Sequence, residues 1–201
     1  IAEAATAFEG AVKHGAKEII PAWYHLATTR RQLEQFAEAR EAYDKLLELE
    51  PTHRDGLVEA ADSSVALYRW ADASALYARA TEVDENDASL FYRLGTSLMM
   101  QLHWEEASKA LRQSRRLDPS FVDTHVKLGD ALAEIEQYSL AIEAYDDALD
   151  REPELSAVFI ARGIVQEKLE RREDALESYL GALALESEDG ETLRRAAWVQ
   201  T

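Results

Sequence analysis

Cysteine is absent from these 201 residues. That excludes a disulfide framework, a thiolate nucleophile and a thiolate metal site, and it is compatible with a reducing compartment without establishing one. Glycine (8) and proline (4) are too few for a loop-rich or strand-and-turn chain, and the abundance of alanine and leucine suits helices. No apolar run reaches the length of a membrane span, and no signal-peptide pattern stands at the start. The first residue is Ile1 rather than Met, as expected of a fragment or a processed product. Positive charge is scarce: 22 Lys and Arg stand against 39 Asp and Glu, a formal charge of −17. An electrostatic grip on nucleic acid or on an anionic membrane is therefore not expected, and solubility is the plain reading of the acidity. The expected setting is cytoplasmic. No glycine-rich phosphate loop, nucleophile elbow or phosphate-binding lysine motif is present.

What the chain does contain is a period. Phe36, Trp70, Trp104 and Tyr138 stand 34 residues apart, as do Ala39, Ala73, Ala107, Ala141 and Ala175. The same step links Tyr43, Tyr77, Leu111, Tyr145 and Tyr179, and it brings Pro51, Pro119 and Pro153 into one column. With Ile20 as the first position, position 4 reads Trp23, Leu57, Phe91, His125, Phe159. Position 8 reads Ala27, Ala61, Gly95, Gly129, Gly163, and position 27 reads Leu46, Ala80, Ser114, Ala148, Ala182. Spacings of three and four between these columns fit helices and not strands. Small residues at positions 8 and 20 let two backbones approach, and the bulky residues beside them fill the remaining space.

The large–small–small–aromatic–proline pattern closely resembles the tetratricopeptide repeat, over about nine-tenths of the chain. The resemblance implies an all-α, right-handed solenoid of antiparallel helix pairs. Five repeats are expected at 20–53, 54–87, 88–121, 122–155 and 156–189. Residues 1–19 should supply a lone second-type helix and a connection, with Ala5, Phe8 and Ala11 on one face and Gly15 at its end. Residues 190–201 should open a sixth repeat, with Leu193, Ala196 and Ala197 in register. In the third repeat the expected helices are Ala88–Leu102 and Trp104–Leu117, with Trp104 buried. The prolines should stop second helices, and Thr52, Asn86 and Ser120 should cap the next ones. Looser connections are expected where Glu85 and Ser187 replace proline.

Chemistry is hard to place on this chain. His14, His25, His53, His103 and His125 form no pair at metal-binding helical spacing, and His125 stands in a packing column. Asp84-Glu85-Asn86-Asp87 resembles a calcium loop only in its acidity, since Ser89 and Gly95 occupy the places of the turn glycine and the bidentate glutamate. Asp146, Asp147 and Asp150, like Glu134 and Glu136, read as solvated helix faces. No enzyme, cofactor or metal is expected.

The resemblance instead implies a recognition surface, because first helices line the inner, concave wall of such arrays. Matching positions give Tyr24 and Arg31 from the first repeat and Val58, Asp62 and Val65 from the second. Tyr92, Arg93, Thr96 and Met99 follow from the third, Val126, Lys127 and Asp130 from the fourth, and Ile160 and Ile164 from the fifth. An apolar strip flanked by both charge signs suits a peptide or helix of a partner protein. Tyr92 and Arg93 are the strongest single anchors by residue type. A chaperone carboxylate clamp is rejected, because Tyr24, Thr28, Glu59 and Ser89 stand where its lysines and asparagines belong and only Arg93 agrees. The expected function is thus a non-catalytic protein–protein interaction scaffold. The alternatives are a homo-oligomer stacking through its terminal half-repeats, and a repeat segment of a larger enzyme or assembly factor.

Overall fold

The computed structural model describes residues 2–13, 19–185 and 190–199, apart from the side chains of Ala2 and Lys13. Twelve α-helices, and no strand, occur among them. The chain divides into two units, Ile1–Leu102 and His103–Thr201. The first holds α1 (Ala2–Lys13), α2 (Ile19–Gln32), α3 (Phe36–Leu49), α4 (Arg54–Ala66), α5 (Trp70–Val83) and α6 (Ala88–Met99). The second holds α7 (Trp104–Leu117), α8 (Val122–Glu134), α9 (Tyr138–Arg151), α10 (Ser156–Lys168), α11 (Arg172–Leu185) and α12 (Gly190–Val199).

Within each unit every helix packs on the next one along the chain, and alternate helices also meet, α2 with α4 and α8 with α10. Such nearest-neighbour packing is the mark of a solenoid. The small columns explain how the helices come so close. Ala39, Ala73, Ala107, Ala141 and Ala175 are fully buried. A methyl group built on Gly129 would lie 2.4 Å from the Tyr145 ring, and one on Gly163 would lie 2.6 Å from the Tyr179 ring. Glycine at position 8 thus makes room for the tyrosine of the paired helix.

The turn inside each repeat has a single design. Glu34, Tyr68, Leu102, Glu136 and Glu170, each 34 residues from the next, have φ between 57° and 62°. In the first repeat the Gln35 amide reaches back to the Arg30 carbonyl at 3.0 Å, and in the fourth the Gln137 amide reaches the Leu132 carbonyl at 2.9 Å. These bonds across a left-handed residue are a Schellman closure of the helix end.

Several local expectations need correction. Thr52, Asn86 and Ser120 are not the caps: α4, α6 and α8 begin two residues later, with His53, Asp87 and Phe121 at the N-cap. For Asn86 and Ser120 the reason is competition from an earlier aspartate. Asp118 accepts from the Ser120 hydroxyl at 2.6 Å and its amide at 2.9 Å, and these bonds hold its carboxyl below the usual range. Asp84 likewise accepts from the Asn86 amide at 3.3 Å. His53 Nδ1 accepts from the Gly56 amide at 3.0 Å, so an imidazole performs the capping. Helix α6 ends at Met99 rather than 102, because Leu102 takes the left-handed conformation that closes the turn.

Trp104 is only partly buried, in contrast to Leu111 in the same helix, which is fully so. Helix α5 stops in the same register as its counterparts without a proline, the Asp84 amide returning to the Ala80 carbonyl at 2.9 Å. In α12 the buried stripe is Thr192, Ala196 and Val199, while Leu193 and Ala197 are exposed. Position 8 is covered by its own second helix in complete repeats, and Ala197 has no such helix in these residues. Gly15, His14 and Ser187 lie outside the described residues.

Candidate functional site: the first-helix walls

In the first unit the wall is built by α2, α4 and α6, and its centre is a pair of carboxylates one turn apart on α4. Glu59 Oε1 accepts from the Tyr24 hydroxyl at 3.0 Å. Its Oε2 accepts from the Thr28 hydroxyl at 3.3 Å and from the Tyr43 hydroxyl, and lies 3.4 Å from Arg31 Nε. Asp62 Oδ1 accepts from the Tyr77 hydroxyl and from Arg93 Nη1 at 2.6 Å. Two acids on one helix thereby bind side chains of α2, α3, α5 and α6. Burial and the Glu59 carboxylate push the Tyr24 phenol up to about 12. Tyr43 and Tyr77 are pushed up further, by burial first and then by hydrogen bonding to Glu59 and Asp62.

The second unit repeats the device on α8, α10 and α12. Tyr145 donates to Asp130 at 3.0 Å, and Lys127 Nζ lies 3.4 Å from the other oxygen of that carboxylate. Tyr179 donates to Glu167 at 2.5 Å, and Arg195 stands 3.5 Å from it. Both phenols are raised, by burial first and then by these acids. Each wall therefore carries a tyrosine–carboxylate–cation triad wherever its repeat has tyrosine at position 24.

All the wall residues expected from the sequence are partly buried, none fully covered and none fully open: Tyr24, Arg31, Val58, Asp62, Val65, Tyr92, Arg93, Thr96 and Met99 in the first unit, and Val126, Lys127, Asp130, Ile160 and Ile164 in the second. Tyr24, Val58 and Val65 lean on the core of the first unit, and Ile160 and Ile164 on that of the second. The hydroxyls of Tyr43, Tyr77, Tyr145 and Tyr179 are members of these sites that sequence reasoning treats as packing. The signal that could have found them is the retention of tyrosine, rather than phenylalanine, at a fully buried column.

Several of the other polar candidates have structural partners. His25 stacks on Phe8 with ring centroids 5.4 Å apart, and His125 donates from Nε2 to the Pro119 carbonyl at 2.8 Å. Asp84 and Asp87 both pair with Arg54, at 3.0 and 2.5 Å. Asp87 also accepts from Ser89, and although burial opposes it, these contacts hold its carboxyl below the usual range. Asp146 is 2.5 Å from Arg162. Among the described residues no cluster of three or more His, Asp or Glu side chains could hold a metal ion, and no helix is long and apolar enough to cross a membrane.

Helix pairs stacked in series with a 34-residue period define an α-solenoid. Two tetratricopeptide-repeat profiles match the sequence, one over residues 20–53 and one over residues 92–157. The chain belongs to the tetratricopeptide-repeat family, all-α right-handed solenoids whose members are in general protein-interaction scaffolds. No curated protein matches it at a significant level. Among solved structures it is similar to YrrB, described as "a TPR protein with an unusual peptide-binding site", at 23% identity and a TM-score of 0.83, covering 94% of this chain and 97% of that one. It is also similar to MamA, at 23% identity and a TM-score of 0.76 over 83% and 97%. For MamA from Desulfovibrio magneticus RS-1 the values are 19% and 0.75 over 85% and 97%. At these identities the likeness concerns the fold.

Proposed function

We propose that the chain is a non-catalytic scaffold that holds a peptide or amphipathic helix of a partner protein against its first-helix walls. The observation that carries this reading is the state of the wall charges. Glu59, Asp62, Asp130 and Glu167 are each met by a cation and by a tyrosine hydroxyl. A partner that covers them does not bury an unpaired charge, which would oppose binding. Between the triads stand Val58, Val65, Tyr92 and Met99 in one unit and Val126, Ile160 and Ile164 in the other, part of each still exposed. That alternation suits apolar anchors at helical or extended spacing. The likeness to a peptide-binding solenoid supports the reading by analogy of fold. Glu59, at the centre of the first wall, already takes the Tyr24, Thr28 and Tyr43 hydroxyls and offers no donor to a terminal carboxylate, which argues against a chaperone clamp.

The test is selection of binding peptides by display on the full chain, followed by wall variants. Tyr92→Ala and Met99→Glu should each abolish binding with helicity unchanged, and Arg93→Glu, which sets a carboxylate beside Asp62, should do the same. Undiminished affinity in all three would remove the walls as the binding surface. A second reading, stacking of copies through their ends, is favoured by the exposed Leu193 and Trp198 on α12. A concentration-independent monomer mass by light scattering would remove it.

A further inference from the structure

The acidity of the chain hides a place of opposite sign. On the second-helix side of the second unit, Arg112, Arg115 and Arg116 of α7 and Arg151 of α9 converge on a cleft of about 520 Å³ that Pro119 and His125 also line. One carboxylate, Asp147, also lines it, so the lining carries three positive charges in excess within a chain of net charge −17. None of these residues belongs to the first-helix walls.

The guanidiniums are only partly neutralised by their neighbours, which supply one carboxylate, Asp147. Arg112 donates to Gln137 Oε1 at 3.1 Å and Arg116 to Gln113 Oε1 at 3.0 Å, and both acceptors are uncharged amides. Arg115 and Arg151 share Asp147, at 3.5 and 3.8 Å, and Arg151 also donates to the Pro119 carbonyl at 2.9 Å. Each guanidinium has five N–H donors, so one or two such bonds leave most of its capacity unused. The second observation is His125, only 1% exposed. Its Nε2–H is committed to the Pro119 carbonyl, and Nδ1 has no hydrogen-bond partner among the described residues. Asp147 Oδ2 is 3.4 Å from that nitrogen without the alignment of a hydrogen bond. A buried, unpartnered polar atom beside clustered guanidiniums needs an explanation that helix packing does not supply.

We propose that this cleft is an oxyanion site for a compact phosphate: a phosphate monoester or free inorganic phosphate. Arginine forks from two helices match the oxygens of a tetrahedral anion in bidentate fashion. A dianion offsets most of the excess charge, whereas a carboxylate would leave two positive charges unmet. An extended polyanion does not fit the same argument, because the surrounding surface is acidic and would repel its remainder. The site is independent of the walls, so its fate and theirs are separable.

The experiment is a titration of the isotope-labelled full chain with inorganic phosphate at low ionic strength, following the arginine Nε–H and His125 ring resonances. Acetate and chloride at equal ionic strength are the controls, and a phosphoserine peptide is the parallel ligand. The result expected is a saturable shift confined to Arg112, Arg115, Arg116, Arg151 and His125, with acetate at least about tenfold weaker. Arg112→Ala/Arg116→Ala, which removes bonds to glutamines alone, should weaken phosphate by about tenfold or more with unchanged helicity. The pair of lysine substitutions, keeping charge but losing the fork, should fall between. Tighter binding of the phosphoserine peptide than of inorganic phosphate identifies a modified protein as the source, and the reverse identifies the free anion. Shifts no larger than those with acetate, or an affinity unchanged in the double alanine variant, would overturn the proposal.

Discussion

Glu136→Gly should make the protein more stable, although it removes a side chain and adds nothing. Glu136 has φ of 59°, and the bonds from its own amide to the Ala133 carbonyl at 3.0 Å and from Gln137 to Leu132 at 2.9 Å demand that conformation. A left-handed residue with a Cβ costs roughly 1–2 kcal/mol from the clash with its own carbonyl. Glycine escapes the clash and gives back roughly 0.5–1 kcal/mol through the freer unfolded chain. The net gain is about 0.5–1 kcal/mol. The Glu136 side chain is exposed, so no packing is lost with it. One confounding effect is charge, since the formal total of −17 becomes less negative. Glu136→Ala removes the same charge and retains the Cβ, so the difference between the two variants isolates the backbone. For a chain of this length the gain corresponds to about 1–4 °C in Tm. Because repeat arrays depart from two-state unfolding, amide exchange in α8 and α9 is the sharper readout. Glu34 and Glu170 hold the same turn position in other repeats, and all three changes together should add to about 1.5–3 kcal/mol. Equal stability of the glycine and alanine variants would refute the strain argument.

Gly129→Ala is expected to act in the opposite direction. Its methyl would meet the Tyr145 ring at 2.4 Å, and that ring is 2% exposed with no room to retreat, so overpacking should cost about 1–3 kcal/mol in urea denaturation. A loss below a few tenths would show that the helix pair yields. The raised phenols predict alkaline instability. Tyr24 is neutral in the folded chain up to about 12, against an ordinary value of 10.0, and Tyr43, Tyr77, Tyr145 and Tyr179 are shifted in the same direction. Above pH 10 the unfolded chain gives up protons that the folded chain keeps, so stability complete below that point declines as pH rises through about 12. The tyrosinate absorbance of these five phenols should therefore appear together with loss of helical circular dichroism, and ionisation of all eight tyrosines near pH 10 with the helices intact would contradict it.

The parts of the fold that are legible in the sequence are those repeated at one offset. The alanines from Ala39 to Ala175 and the small residues from Ala27 to Gly163 are buried in every repeat, so a single physical demand writes a column. The helix starts were harder, because two polar side chains compete for the same amides. Ser120 looks like a cap until Asp118 takes both its amide and its hydroxyl. Trp104 is less buried than its column implies, because a recurring aromatic shows contact at that position and not how much of the ring is covered. Formal charge was the least informative quantity, since an average over the chain conceals four arginines that the α7–α9 geometry brings to one cleft.

The tyrosine triads show why the site resisted the same reading. Tyr77 and Tyr145 reach an acid at position 9 of their own repeat, Tyr179 reaches position 12, and Tyr43 crosses to Glu59 of the following repeat. The donor occupies one column while the acceptors occupy three, so periodicity reveals the hydroxyl and not its destination. The requirement that is conserved from repeat to repeat is chemical: a buried phenol must find an acceptor, and a phenol at this depth finds it on the first-helix face. The carboxylates serve two ends at once, tying neighbouring helices together and presenting a neutralised polar surface to whatever lies against the wall. A substitution at Glu59 or Asp62 would therefore disturb stability and recognition together, whereas Met99 and Val126, which carry no triad, are the positions through which recognition can be altered separately.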